Sequence, residues 1–392
     1  MADEVTMDTL FGNFGVEIKS ASVVENSRVA VEWSDGSATS LYPMLMLRDC
    51  CPCEKCFNPV VNSRLILFEH LLESSCSVSQ LSYETDCVNI EWLDGHQSVY
   101  STEWLYRRRL EREAIEKRLE SVYTAVVDTP WTGSTPSEII KSAKYDEILS
   151  DPQKVVEFTE CMIKDGVFVI REAPDRHCLV EFLKTIGAKH QGTHYGDSEW
   201  VIKNIPTSKD LPNSSKKLEL HIDMPYLAKP QQLQLLHCLI QSEDGGENKL
   251  SDALKAALIL KEKKPDYYRL LSTVEVDFQF IKKYKENNTG SSVTEPLSYK
   301  KILKLDSLLF VEAWFEAFRY YWKILESNAI FIKSQPGDIL AFNNGRVMHA
   351  REAFNSQQAR QLEGVYAEWD YLLSAWRMAK VKLSKQVANG HC

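Results

Sequence analysis

The chain has 392 residues, 44% of them hydrophobic and 26% charged, with a net charge of −9. That length suits two domains better than one core, and the composition is that of a globular protein in water. The negative balance argues against a nucleic-acid partner, and no apolar run reaches the length needed to span a bilayer.

Along the chain, the opening residues Met1-Ala2-Asp3-Glu4-Val5 carry neither a signal-peptide core nor transit-peptide character, so a cytoplasmic location is expected. Next comes a weak internal repeat: Val29-Ala30-Val31-Glu32-Trp33-Ser34-Asp35-Gly36 returns as Val88-Asn89-Ile90-Glu91-Trp92-Leu93-Asp94-Gly95. Each copy alternates and ends in Asp-Gly, the pattern of a strand entering a hairpin turn. Small sheets of this kind are marginal alone and need a staple.

Of ten cysteines, four fall within positions 50–56, a density that suits a metal site rather than a disulfide framework. Cys51-Pro52-Cys53-Glu54-Lys55-Cys56 is C-x-C-x-x-C, three soft donors in one tight turn, and zinc takes four. His96 is the fourth candidate. It directly follows the second Asp-Gly turn, where the first repeat carries Ser37. Cys50 competes for a place. Four protein donors close the site, which makes it structural.

Residues 101–120 read as a helix whose Arg107-Arg108-Arg109 run is an exposed face held by i,i+4 pairs to Glu111, Glu113, Glu116 and Glu120. Asp128 to Pro136 is a breaker-rich linker. The expected layout is therefore a zinc-binding β domain over 1–110, a helix and linker over 111–140, and a large domain over 141–392. In that domain a helix over 151–164 precedes a strand at 166–170. Beyond 185, short strands and turns dominate, interrupted by helices near 252–263 and 310–326. Such a pattern favours a mainly β jelly roll with flanking helices. At the end, Trp369, Leu372, Leu373, Trp376, Ala379 and Leu383 form an apolar helical stripe that packs on the protein's own core, a dimer contact being the alternative.

His221-Ile222-Asp223 is H-x-D, and residues two apart on a strand share a face. A non-haem iron(II) site adds a distant histidine and keeps open positions. His349 supplies it, after the turn Pro336-Gly337-Asp338 and the apolar strand that follows. Arg360 comes eleven residues later; its guanidinium can hold the distal carboxylate of 2-oxoglutarate through two parallel hydrogen bonds. Arg360 and Tyr366 are an even number apart, so on one strand both face inward. Singly each residue has an ordinary structural explanation; together they form a pattern.

These residues, with Leu47-Arg48-Asp49-Cys50-Cys51, Tyr195-Gly196, Leu235-Leu236-His237-Cys238, Gly245-Gly246 and Leu362-Glu363-Gly364-Val365-Tyr366-Ala367-Glu368-Trp369-Asp370, resemble the gamma-butyrobetaine dioxygenase family end to end. Trimethyllysine dioxygenase is a near relative of that family. The resemblance implies a double-stranded β-helix (jelly-roll) catalytic domain behind the zinc domain, and a homodimer. It implies iron(II) on His221, Asp223 and His349, 2-oxoglutarate on Arg360 beside Leu236, and structural zinc on Cys51, Cys53, Cys56 and His96, with ascorbate as reductant. The implied reaction hydroxylates gamma-butyrobetaine to L-carnitine while 2-oxoglutarate is decarboxylated to succinate and CO2. An aromatic cage of Tyr195, Trp200 and Tyr366 would hold the trimethylammonium group of a small trimethylammonium carboxylate.

Two features depart from that family. Its Asn-x-Ala-Tyr stretch before H-x-D is replaced by Asp210-Leu211-Pro212-Asn213, and an Asn-rich, Arg-containing segment that helps bind the substrate carboxylate is missing between Lys300 and Glu326. The alternatives are hydroxylation of another small substrate such as trimethyllysine, or a catalytically impaired paralogue acting as a binding protein.

Overall fold

In the computed structural model, the two Trp-x-Asp-Gly repeats become the central strands of two matching three-stranded antiparallel sheets. The structure describes residues 15–61, 63–73, 76–115, 129–133, 139–193, 198–208, 210–227, 229–274, 276, 280–285, 292–297 and 308–389. The chain divides into two units, Met1–Val126 and Val127–Cys392.

In the first unit, β1 (Ile18–Val24), β2 (Arg28–Trp33) and β3 (Ser40–Pro43) form one sheet. The short pair β4 (Phe57–Asn58) and β5 (Ser63–Arg64) follows the cysteine loop, and β6 (Val78–Tyr83), β7 (Cys87–Trp92) and β8 (Gln97–Ser101) form the second sheet. Each three-stranded sheet is followed by a one-turn helix, Met44–Asp49 or Thr102–Arg107. The repeat extends to side chains. Trp33 Nε1 donates to Ser40 Oγ and Trp92 Nε1 to Ser98 Oγ, both at 2.8 Å. Tyr42 donates to the carbonyl of Leu105 at 2.7 Å, and Tyr100 returns the bond to the carbonyl of Leu47 at 2.5 Å. Each half thus donates to a carbonyl in the other's helix, and Val29, Val31, Val88 and Ile90 fill one common core.

The expected helix over 101–120 is corrected. It stops at Arg107, and a second short helical stretch covers 112–115; residues 116–128 lie outside the described residues. Arg107 pairs back to Glu103 at 2.6 Å, while Arg108 and Arg109 stack over Trp104 and Tyr106 at 4.3 and 3.5 Å. An i,i+4 ion pair to Glu103 and cation–π contacts with Trp104 and Tyr106 thus engage the basic run.

The second unit is the larger. Its major sheet takes β9 (Lys141–Lys144), β10 (Val167–Arg171), β11 (His190–Gln191), β12 (Trp200–Lys203), β14 (Leu233–Ile240), β19 (Ile339–Asn343) and β21 (Gln361–Ala367), in the order β11-β21-β14-β19-β10-β9 with β12 beside β21. A four-stranded sheet orders β13 (Leu218–His221), β20 (Val347–Arg351), β15 (Asn248–Asp252) and β18 (Ile330–Ile332) as β13-β20-β15-β18. Strands β16 (Phe280–Lys285) and β17 (Ser292–Leu297) make a separate hairpin. Val167, Val169, Leu236, Leu340 and Phe342 from the first sheet pack with Leu250, Ile330 and Val347 from the second in one core. Two sheets closing on each other in this way form the jelly roll.

Flanking helices cover the outer faces. Helix Pro152–Lys164 starts on Asp151, whose carboxylate accepts from Gln153 N at 2.8 Å, an N-cap with proline at the first helical position. The C-terminal helix Trp369–Asn389 packs against it, and Trp376 Nε1 donates to Glu160 at 3.2 Å. The apolar stripe at Leu372, Trp376 and Ala379 is buried there. Helices Ala253–Lys263 and Leu308–Ser327 fall where expected, and Leu179–Ile186 and Pro265–Thr273 are additional. The expected linker, Asp128 to Pro136, falls within this unit, where Trp131 is buried and its backbone N donates to Asp252 at 3.0 Å. No helix among the described residues is long and apolar enough to cross a membrane.

Candidate metal centres and active site

In the first unit, Cys51, Cys53 and Cys56 surround one imidazole nitrogen. Their Sγ atoms lie 3.4, 3.5 and 3.6 Å from His96 Nε2. Bond lengths of about 2.3 Å to sulfur and 2.0–2.1 Å to nitrogen give tetrahedral S···N edges of about 3.5 Å around zinc, so the donor set fits that ion. Supporting bonds orient the donors. Ser98 donates to Cys51 Sγ at 3.0 Å, Arg48 to Cys56 Sγ at 3.5 Å and to Asp94 at 3.2 Å, and Asp94 accepts from His96 N at 2.9 Å. Burial pushes the Cys51 thiol up to about 12, a cost that a bound cation removes by holding the thiolate. Cys50 is exposed and lies outside the cluster.

In the second unit, β13 and β20 pair so that His221 stands opposite His349. The rings lie 4.2 Å apart between centroids. Asp223, just past the end of β13, brings Oδ1 to 3.3 Å from His221 Nε2 and 3.7 Å from His349 Nε2. The three donor atoms lie within 4.8 Å of one another. Two imidazoles and one carboxylate on one side of a cavity are the donor set of a non-haem iron(II) site with open positions.

The surroundings prepare each donor. The Glu219 carbonyl lies 2.7 Å from His221 Nδ1; a carbonyl can only accept, so Nδ1 carries the proton and Nε2 offers its lone pair. Asn344 clamps the loop after H-x-D, accepting from Asp223 N at 2.7 Å and donating to Asp223 O at 3.0 Å and Gln231 O at 2.7 Å. Met224, in the left-handed region at φ 54°, is a non-glycine residue in strained backbone that this clamp holds. Tyr366 donates to Asp223 Oδ2 at 2.7 Å. Burial and the neighbouring His221 push His349 down to about 3, which keeps it neutral. Burial alone would raise Asp223, but His349, His221 and Tyr366 together hold it well below the carboxylate range. For His221 burial is outweighed by Asp223, which lifts it above the ordinary imidazole value, so a proton and a cation compete for Nε2.

The cavity has a volume of about 480 Å³. Arg360, Leu236, Trp200 and Tyr366 line it with the three donors. Arg360 immediately precedes β21, is 4% exposed, and has Nε without a partner. Burial pushes it down to about 10, so it stays charged at neutral pH. Among the described residues no carboxylate pairs with it, and a buried guanidinium in that state invites an anion. Trp200 stacks on Tyr366 with centroids 5.4 Å apart and planes at 29°, and Gly364 makes room for it, since a Cβ there would meet the indole at 2.4 Å. Tyr195 lies outside the described residues. Asn213 and Asp210 line the same cavity, with Asn213 Nδ2 donating to Asp210 at 2.8 Å.

Sequence reasoning passed over Asn344, Tyr226, Asn248 and Arg351, all but the first of them cavity-lining. Tyr226 lay within reach, three residues beyond Asp223 in an H-x-D segment already singled out. The others are brought in by sheet closure.

Comparison with known proteins agrees in extent. Residues 129–366 match the family model described as taurine catabolism dioxygenase TauD, TfdA family, and residues 16–106 match that described as gamma-butyrobetaine hydroxylase-like, N-terminal. The chain is 27% identical to gamma-butyrobetaine dioxygenase of Pongo abelii, over 95% of this chain and 99% of that one. The human protein of the same name is also 27% identical, over 92% and 95%. Mitochondrial trimethyllysine dioxygenase of Gallus gallus is 24% identical, over 86% and 83%.

Proposed function

Since the chain belongs to the taurine catabolism dioxygenase TauD, TfdA family, we propose that it hydroxylates gamma-butyrobetaine to L-carnitine while decarboxylating 2-oxoglutarate to succinate and CO2. The observation that carries this reading is the single cavity in which His221, Asp223 and His349 converge beside the unpaired, buried Arg360 and the Trp200–Tyr366 stack. Iron(II) held by the three donors would supply the oxidising chemistry, with 2-oxoglutarate and oxygen as co-substrates. The chain's own residues orient the reactants. Arg360 would fix the distal carboxylate of 2-oxoglutarate against Leu236, Asn344 and Tyr366 would hold Asp223 in place, and the aromatic stack would receive the trimethylammonium group.

The remaining parts of the reading are zinc on Cys51, Cys53, Cys56 and His96, ascorbate as reductant, a homodimer and a cytoplasmic location. Asn213 in place of the family's cage tyrosine removes one cation–π contact, worth about 0.5–2 kcal/mol; Tyr226 lines the same cavity and would compensate in part. A second reading is a related small substrate such as trimethyllysine, the compound in the name of the Gallus gallus relative. The test is succinate release by the iron-loaded protein with 2-oxoglutarate, with and without each compound. Stimulation by gamma-butyrobetaine, with hydroxylated product matching succinate, is expected. Stimulation by trimethyllysine alone would transfer the assignment to it, and none by either would remove both.

A further inference from the structure

The cavity carries a second arginine that the scheme above does not use. Arg351 lies on β20 two residues beyond His349, so both side chains leave the strand on one face. It is 5% exposed and lines the same cavity. Among the described residues no carboxylate pairs with it. Its Nη1 donates to the Pro212 carbonyl at 2.9 Å, and its Nη2 to the carbonyls of Ser214 at 2.7 Å and of Lys216, while Nε is buried without a partner. Phe354 lies 5.0 Å from its guanidinium and 5.7 Å from that of Arg360, so the two cations flank one ring.

Charge bookkeeping gives this arginine a task. Iron(II) and Arg360 bring three positive charges, and Asp223 with dianionic 2-oxoglutarate brings three negative ones. These cancel, and Arg351 is left over. Asp210 also lines the cavity, but it is exposed and its carboxylate is engaged by Asn213. Carbonyl dipoles orient a guanidinium without neutralising it, so the buried charge is completed by an anion that enters the cavity.

We infer that Arg351 recognises the carboxylate end of the primary substrate. The inference rests on the trimethylammonium-carboxylate reading above and adds its polarity. Trp200 and Tyr366 belong to the seven-stranded sheet and Arg351 to the four-stranded one, so the cation end meets one wall and the anion end the other. This assigns the carboxylate anchor to a residue of the barrel itself, where the family's Asn-rich segment is missing.

Arg351 also fastens residues 211–216, so the test must separate recognition from loop support. Full-length protein with iron(II) and saturating 2-oxoglutarate is titrated anaerobically by calorimetry. The probes are gamma-butyrobetaine, its carboxylate-free analogue butyltrimethylammonium, and butyrate. The parent should bind gamma-butyrobetaine about tenfold or more tighter than the analogue, as a charge-assisted contact implies. Arg351→Gln should bring that ratio close to one while leaving the analogue's affinity within about twofold, and Arg351→Lys should restore part of it by keeping the charge. A ratio preserved in Arg351→Gln, or equal weakening of both compounds in both variants, would reduce Arg351 to a loop strut and overturn the inference. If the parent binds neither ammonium compound yet binds butyrate in a manner lost in Arg351→Gln, the trimethylammonium reading fails and the role of Arg351 stands. If no probe carboxylate distinguishes parent from variant, the inference is wrong.

Discussion

Arg360 and Gly364 show how single residues set the site. A buried, charge-assisted bidentate contact costs about 2–5 kcal/mol to break, so Arg360→Ala should raise the 2-oxoglutarate requirement about thirtyfold or more. The requirement for the amine substrate should change far less. Steady-state titration of both compounds checks this, and equal effects would contradict the assignment. Gly364 acts through space it leaves open, because a Cβ there would collide with the Trp200 indole at 2.4 Å. Gly364→Ala should destabilise the protein by about 1–3 kcal/mol through overpacking and weaken substrate binding by displacing Trp200. A variant that melts and binds like the parent would show that the stack is not part of the pocket. At this scale the residues restricted by metal and anion chemistry are legible in sequence, because few side chains can replace an imidazole, a thiolate or a guanidinium. Asn344 and Arg351 are not. They act on backbone amides and carbonyls more than a hundred residues away, and nothing local marks such a partner.

At the scale of elements, strand pairing does most of the positioning. The β13–β20 register sets His221 opposite His349, which turns a two-residue motif and a distant histidine into neighbours. Alternation and Asp-Gly turns make the repeated strands of the first unit legible, and Asp151-Pro152 marks the start of a helix. The helix over 101–120 misleads because its charge pattern continues past Arg107 while the aromatic rings of Trp104 and Tyr106 draw the arginines back. The cysteine loop is an element of another kind, ordered by its donors. Cys53→Ser should therefore release zinc and lower the melting temperature of the first unit, where 1 kcal/mol is worth about 4–8 °C for a domain of roughly 60–100 residues. Iron binding should persist, since His221, Asp223 and His349 belong to the other unit. Metal analysis and a thermal melt decide it: zinc retained with an unchanged melt would refute the staple.

At the largest scale, the two sheets of the second unit close on one core and create a cavity with the Trp200–Tyr366 stack on the major sheet and Arg351 on the minor one. Short strands and turns announce the jelly roll, but which strands become neighbours is set by long-range pairing such as β21 with β12 and β14, for which a single sequence carries no local signal. That closure brings the iron donors and Arg360 together from segments as far apart as residues 221 and 360. The proposed chelate at these residues has a direct spectroscopic test. An anaerobic titration of the iron(II)-loaded protein with 2-oxoglutarate, followed by visible charge-transfer absorption, should show a saturable band from a 2-oxo acid chelating the metal, and His349→Ala should abolish it. No band in the parent, or an undiminished band in His349→Ala, would contradict an iron and 2-oxoglutarate site at these residues.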